Sequence, residues 1–305
     1  MIKYQLGSVR IDGHAAAIIA FGGAIYKLAD VLSKAGAAAA GALEVLDLLE
    51  EWERWRVELP ALIMRAKEAG LPAPLQAESL DWLAPVVFPR KVICVGTNYW
   101  DHIEEMKVPT KPTYPYAFLK PPSTTLVGTG TPVVIPAQSA MTDWEAELAV
   151  VIGARVRNVP ASRALDCVAG YSVFNDVSAR DWIESRPAVG MDWILHKCFD
   201  GFAPMGPFLT PAEFIANPDN LAITLTVDGV LKQSSNTGKM IFSVAECIAH
   251  LSSVMTLEPG DVIATGTPAG VGYARSPREF LKPGSVMVVE IEELGRLVTP
   301  MVAPG

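Results

Sequence analysis

At 305 residues, half of them apolar and 19% charged, the chain can bury one large core, or a small domain beside a core of roughly 200 residues. That composition excludes a disordered protein, and a net charge of −8 without any Lys/Arg cluster argues against a nucleic-acid or anionic-membrane partner. Cys94, Cys167, Cys198 and Cys247 lie far apart with no CxxC pair, which predicts reduced thiols in a cytoplasmic protein and neither a zinc site nor a disulfide framework.

Near the start, Asp12-Gly13 and Gly22-Gly23 predict turns between short strands at 8–11, 15–21 and 24–28. The apolar stretch 15–25 imitates a signal peptide, but these turns break it and no small-residue cleavage site follows. No apolar run approaches the length of a membrane span. From 29 to about 70 the apolar residues Val45, Leu46, Leu48, Leu49, Trp52 and Trp55 recur at helical spacing, with the Ala-rich segment 35–42 read as the helix entry. Pro72, Pro74, Pro85 and Pro89 mark an extended connection, so the predicted division is a small N-terminal α+β domain, 1–85, and a larger domain, 86–305. Beyond Lys91 strands are predicted at 92–96, 117–120, 133–135, 144–152, 169–176, 221–227, 262–266 and 286–291. Helices are predicted at 99–106, 178–184 and 244–253, the last capped by Ser243 with Glu246 three residues on. Many strands with sparse helices predict a β-rich α+β fold and not a doubly wound sheet.

Chemistry concentrates in five stretches. In Asp143-Trp144-Glu145-Ala146-Glu147 the acids stand at alternate positions of a β-forming run, so they share a face. Like charges on a half-buried face need a compensator, for which a hard divalent cation is the simplest choice; a solvated acidic edge strand is the alternative. His102 and Glu105 stand at i and i+3 of a predicted helix, as an oriented general base or as a surface pair. Asp101 and Glu104 are expected to be solvated. Asp176 ends an apolar strand, where it can complete an oxygen-rich cation site or cap the helix expected after it. Arg180 and Asp181 are expected to form a structural ion pair, and Lys197 is either solvated or placed to meet an anionic substrate. The run 265–272, Thr-Gly-Thr-Pro-Ala-Gly-Val-Gly, lacks both P-loop and GxGxxG spacing, but its backbone N–H groups could hold a carboxylate.

Taken in order, these pieces resemble the fumarylacetoacetate hydrolase family. The matches are GxNY-xx-HxxE over 96–105, FLKPP over 118–122, ExELAVVIG over 145–153, NDVSARD over 175–181, KxFD over 197–200 and TGTPAGVG over 265–272. The resemblance spans about 90–295 and implies a mixed β-sandwich roll, usually a homodimer, that binds Mg2+ or Mn2+, with Ca2+ able to substitute. Carried over by position, it implies metal ligands Glu145, Glu147 and Asp176, a water-activating His102–Glu105 dyad on a lid segment, and a catalytic Lys197. Lys120, Thr267 and Gly266 would bind substrate, and Asp143 has no family role. Two departures bear on specificity. Ile183 stands where the family commonly has Gln, which implies a less polar or differently shaped ligand. His196 and Cys198 replace commonly small residues, with His196 expected to face outward.

The resemblance implies a metal-dependent hydrolase that cleaves a C–C bond in an acylpyruvate-like 1,3-diketo acid, with a positioned water as nucleophile and an enolate leaving group. Decarboxylation or tautomerisation of a 2-oxo diacid is the alternative on the same logic. A metal-dependent carboxylate binder without catalysis is the third, although such a binder has no need of a base.

Overall fold

The computed structural model describes residues 2–37, 43–108, 110–185 and 187–305. Its centre is the strand Ala146–Ile152, whose every residue is buried. Leu148, Val150 and Ile152 point to one core with Ile223, Leu225, Val289 and Leu297, whereas Ala149 and Val151 point to a second core with Trp52, Leu59, Leu62 and Ile63. A strand covered on both faces reads as a continuous apolar run, which is what the sequence shows here.

A 10-stranded sheet holds this strand. Antiparallel neighbours are Val168–Asn175 and Val262–Ala264, and beyond the latter Val92–Gly96 (parallel) and Tyr116–Lys120 complete that side. On the other side Phe208–Pro211 links Val168–Asn175 to Gln5–Ile11, with Leu6 opposite Leu209, so the N-terminal meander extends the same sheet. A 5-stranded sheet, which includes Ala222–Val227, Val230–Asn236, Val286–Ile291 and Gly295–Val302, packs on one face. The helix Trp52–Ala69 covers the other, and Trp52 lies so close to Gly153 that a Cβ there would meet its Cδ1 at 2.7 Å. The β-rich α+β fold expected from the sequence is therefore present, with no closed barrel among the described residues. Among the described residues, no helix is long and apolar enough to cross a membrane.

Among the described residues the helical stretch expected over 29–70 is three helices, Leu28–Lys34, Val45–Glu50 and Trp52–Ala69. Of the expected helix entry at 35–42, Ala35 closes the first helix by its N–H to Val31 O, and 38–42 lie outside the described residues. The helix expected at 178–184 starts late: Ser178–Ala179 pairs with Thr142–Asp143, and only Asp181–Glu184 is helical. Ser178 Oγ donates to Asp176 O and leaves no cap for an earlier start. The helix Val244–Val254 has the Ser243/Glu246 capping box that its sequence predicts. The strand Val230–Asn236 escaped notice because its apolar residues Val230 and Leu231 are exposed and the residues that follow them are polar; it is folded back by Asp228 and Gly229, both at positive φ.

Asn98 is fully buried and staples three segments. Its Nδ2 donates to Phe242 O and Thr265 O, and its Oδ1 accepts from Phe242 N. Asn98→Ala should leave buried polar groups unpaired and lower stability by about 2–4 kcal/mol. The expected readout is a lower urea midpoint with unchanged m-value.

Candidate active site

The register Ala146↔Asn175 continues one step outward, where Asp176 N donates to Glu145 O at 2.9 Å. Glu145, Glu147 and Asp176 therefore lie on one side of two neighbouring strands, and each offers an oxygen within 4.8 Å of the others. All three are buried. An oxygen-only set of three carboxylates fits a hard divalent cation. The electrostatics agree: burial, with Asp176 and Glu145 alongside, pushes the Glu147 carboxyl well above the ordinary range, as expected where positive charge is short.

Asp143, the first acid of the alternating run, departs from the group. It lies in the short strand Thr142–Asp143 and accepts from Arg180 Nε at 3.0 Å and from the N–H groups of Trp144, Gly272 and Tyr273. Arg180 Nη2 also lies 2.6 Å from Glu145 Oε1, although not aligned as a hydrogen bond. The expected Arg180–Asp181 pair is thus replaced: Asp181 accepts from Ser139 Oγ and from the N–H groups of Ala140 and Met141.

Lys197, buried at the end of the helix Trp193–Lys197, donates to Glu145 Oε2 at 2.8 Å and Asp176 Oδ2 at 2.6 Å. Burial raises the Glu145 carboxyl, but Lys197 and Arg180 outweigh it and hold the group below its usual range. Burial likewise disfavours the charged Lys197, yet Asp176 and Glu145 outweigh it and raise its pKa. Lys120 does not reach the cavity. Its ammonium is spent on Asp176 Oδ1, Val177 O and Phe202 O, so it positions a ligand-type carboxylate.

His102 sits on the helix Trp100–Glu105, 7% exposed, with Nδ1 2.9 Å from Glu105 Oε1. Glu105 Oε2 in turn accepts from Gly270 N at 2.8 Å. Asp101, expected to be solvated, accepts from Ser235 Oγ, Lys239 Nζ and Ala269 N. The Gly-rich run therefore does hold carboxylates, but they are the protein's own. Gly266 N donates to Glu147, and the N–H groups of Ala269, Gly270 and Gly272 donate to Asp101, Glu105 and Asp143. Gly266 thus spends its amide on Glu147; its φ of +97°, with Asn98 Cβ 2.7 Å from where a Cβ would sit, requires glycine.

Glu145, Glu147, Asp176, Arg180, Lys197 and His102 line a cavity of about 170 Å³, together with Thr267, His196 and an apolar set that includes Met106, Tyr116, Phe118, Ile183 and Trp193. Thr267 Oγ1 accepts from Gln233 Nε2 at 2.8 Å, which leaves its own proton to donate into the cavity. Gln233 carried no signal in the sequence; on a mostly exposed strand it is fully buried, and it also fixes Ala146 N and Pro268 O. His196 faces inward, against expectation: it is 2% exposed, with Nδ1 2.8 Å from Ala179 O, because the turn of helix that presents Lys197 carries its neighbour inside. Burial, with Lys197 and Arg180 nearby, lowers its pKa to about 3. Ile183 also lines the cavity, and Cys198 is only half-buried.

A two-sheet fold that gathers a hard-cation donor set, an oriented imidazole and a buried ammonium around one small cavity has the equipment of an enzyme acting on small acids. The chain belongs to the fumarylacetoacetate hydrolase family, whose C-terminal-domain model matches residues 91–302. It is 48% identical over 238 residues to the mitochondrial oxaloacetate tautomerase FAHD2B of Homo sapiens, a match that covers 78% of this chain and 74% of that protein. Among solved structures it is similar to a fumarylacetoacetate hydrolase from Exiguobacterium antarcticum, with 32% identity, TM-score 0.79 and coverage of 99% of this chain and 100% of that one. It is also similar to maleylpyruvate hydrolase from Sphingobium sp. SYK-6 in complex with manganese(II) and pyruvate, with 29% identity, TM-score 0.77 and coverage of 99% and 100%.

The depressed His196 pKa sets a pH dependence. As pH falls below about 6.5 the unfolded chain takes up this proton while the folded chain does not, until about pH 3. Stability should therefore fall across that window by up to about 1.4 kcal/mol per pH unit from this group. Urea titrations of His196→Gln against the parent at pH 7, 6, 5 and 4 should show a shallower loss in the variant.

Proposed function

We propose that the chain is a metal-dependent tautomerase that interconverts the keto and enol forms of a short 2-oxo acid. The carrying observation is the small cavity in which His102, Lys197 and the acid cluster meet, sized for a short acid rather than a long diketo acid with an attacking water. The tautomerase names of the similar proteins support the reaction type. A divalent cation held by Glu145, Glu147 and Asp176, Mg2+ or Mn2+ by donor chemistry, would supply Lewis acidity toward the oxygens of the oxo acid.

The protein groups do the rest. Thr267 Oγ–H donates to the substrate carboxylate. Glu105 holds the Nδ1–H of His102 and leaves Nε2 as the base. Nε2 takes a proton from C3, the C–H pair forms the C2–C3 double bond, and the carbonyl pair moves onto the C2 oxygen. Lys197 offsets the charge that develops there. Return of the proton to that oxygen gives the enol, and the reverse sequence gives the ketone.

Hydrolysis of an acylpyruvate is the second reading, favoured by the intact His102–Glu105 pair, which could instead take a proton from water. Product analysis separates the two. A new carboxylic acid beside pyruvate marks hydrolysis, and solvent deuterium at C3 without cleavage marks tautomerisation. The four free cysteines support a reducing, cytoplasmic setting. The uncovered edge strand Tyr116–Lys120, which carries exposed Tyr116 and Leu119, supports a homodimer.

His102→Gln should lower the exchange of C3 protons, followed by NMR in D2O with Mn2+, by about 10²–10⁴-fold. Asp176→Ala should abolish Mn2+ binding measured by electron paramagnetic resonance. Undiminished exchange in either variant would sink the proposal.

A further inference from the structure

Behind the cavity wall sits a buried polar side chain that takes no part in the proton transfer. Gln233 is fully buried on the strand Val230–Asn236, whose other residues are half-buried or exposed. A β-bulge puts it there. The register passes from Thr226↔Leu231 to Leu225↔Gln233 and skips Lys232, which would otherwise stand opposite Leu225. Bulges re-aim side chains in this way beside active sites. Arg275 Nη2 holds the bulge by donating to Lys232 O at 2.6 Å.

The Gln233 amide has one consistent orientation. Ala146 N can only donate, so the atom 2.9 Å from it is Oε1; Pro268 O can only accept, so the atom 2.8 Å from it is Nε2. The second hydrogen of Nε2 then points at Thr267 Oγ1, 2.8 Å away. A hydroxyl that accepts from an N–H turns its own proton elsewhere, and among the described residues no group accepts that proton. Thr267 lines the same cavity as Glu145, Glu147 and Asp176, so the proton is offered to a ligand. Without the Gln233 donor the hydroxyl could equally turn a lone pair toward the ligand, and a carboxylate oxygen would be repelled by it. The same amide binds Ala146 N, between Glu145 and Glu147, and so fixes the donor relative to the two acids.

We propose that Gln233 is a positioning residue for substrate binding: through Thr267 it makes that side of the cavity a dedicated hydrogen-bond donor to the carboxylate of a short 2-oxo acid. The proposal rests on the reading of the cavity as an oxo-acid site and does not depend on which reaction follows.

The test is the binding of pyruvate to the full chain with Mn2+, measured by calorimetry, beside kcat and KM for the keto–enol conversion of oxaloacetate. Thr267→Val should weaken pyruvate binding about tenfold, the loss of one hydrogen bond to a charged group. Gln233→Met, similar in length and without a donor, should weaken it about three- to tenfold and raise KM alike, with kcat within about twofold of the parent. In the Thr267→Val background the same change should cost less than about twofold, because the proton it directs is gone. A purely structural role gives the same factor in both backgrounds, and that result overturns the assignment. Gln233→Glu keeps the acceptor for Ala146 N, turns the donor into a second acceptor, and carries the test if Gln233→Met does not fold. It should weaken pyruvate at least about threefold more in the parent than in the Thr267→Val background, and equal factors again overturn the assignment. Pyruvate that fails to bind the parent with Mn2+ overturns it too. Coupled losses of pyruvate binding without turnover of oxaloacetate would uphold Gln233 and remove the tautomerase reading alone.

Discussion

The structure depends on keeping negative charge inside a dry interior. Asp143, Glu145, Glu147 and Asp176 are all buried, and burying an unpaired carboxylate costs far more than one packing contact returns. Lys120, Arg180 and Lys197 are buried among them and pair with three of the four. The arrangement leaves the protein one positive charge short at Glu147, the carboxylate whose only hydrogen-bond partner among the described residues is the Gly266 amide. A site that is nearly balanced can accept a dication and still hold an anionic substrate; a fully balanced one would have less use for either.

The Gly-rich run 265–272 gives this balance its geometry. Its amides bond acids that come from the helix Trp100–Glu105, the strand Ala146–Ile152 and the short strand Thr142–Asp143. One loop therefore registers the imidazole-bearing helix against the acid cluster. Glycine matters here for close approach as well as for φ: at Gly270 and Gly272 a Cβ would lie 2.2 Å from Lys232 O and 1.9 Å from Glu279 O.

Much of this was legible in the residues. The alternation Glu145/Glu147 states that both face one way, and the i, i+3 spacing of His102 and Glu105 states that they can touch. What alternation could not state is where a strand begins. Asp143 obeys the same period, yet it lies in a separate short strand that ends before Ala146, and Arg180 claims that carboxylate instead. Pairings between distant segments were equally hidden. Lys120 looked like a substrate contact until Asp176, Val177 and Phe202 were seen to take all of its donors, and Gln233 sits 87 residues from the Ala146 amide it accepts from. His196 shows a third limit: one turn of helix does not reveal which side is inside.

The shared sheet has a consequence for how this polypeptide can be cut or grafted. Gln5–Ile11 donates edge pairing to Phe208–Pro211, and Trp52 lies against Gly153 behind the strand that carries Glu147. A shortened version that starts at the family-matched boundary would bare a ladder of backbone groups and the rear of the strand that carries Glu147 together. The leading segment is in that respect a buttress, and exchanging it between relatives would disturb the placement of a carboxylate that it never touches.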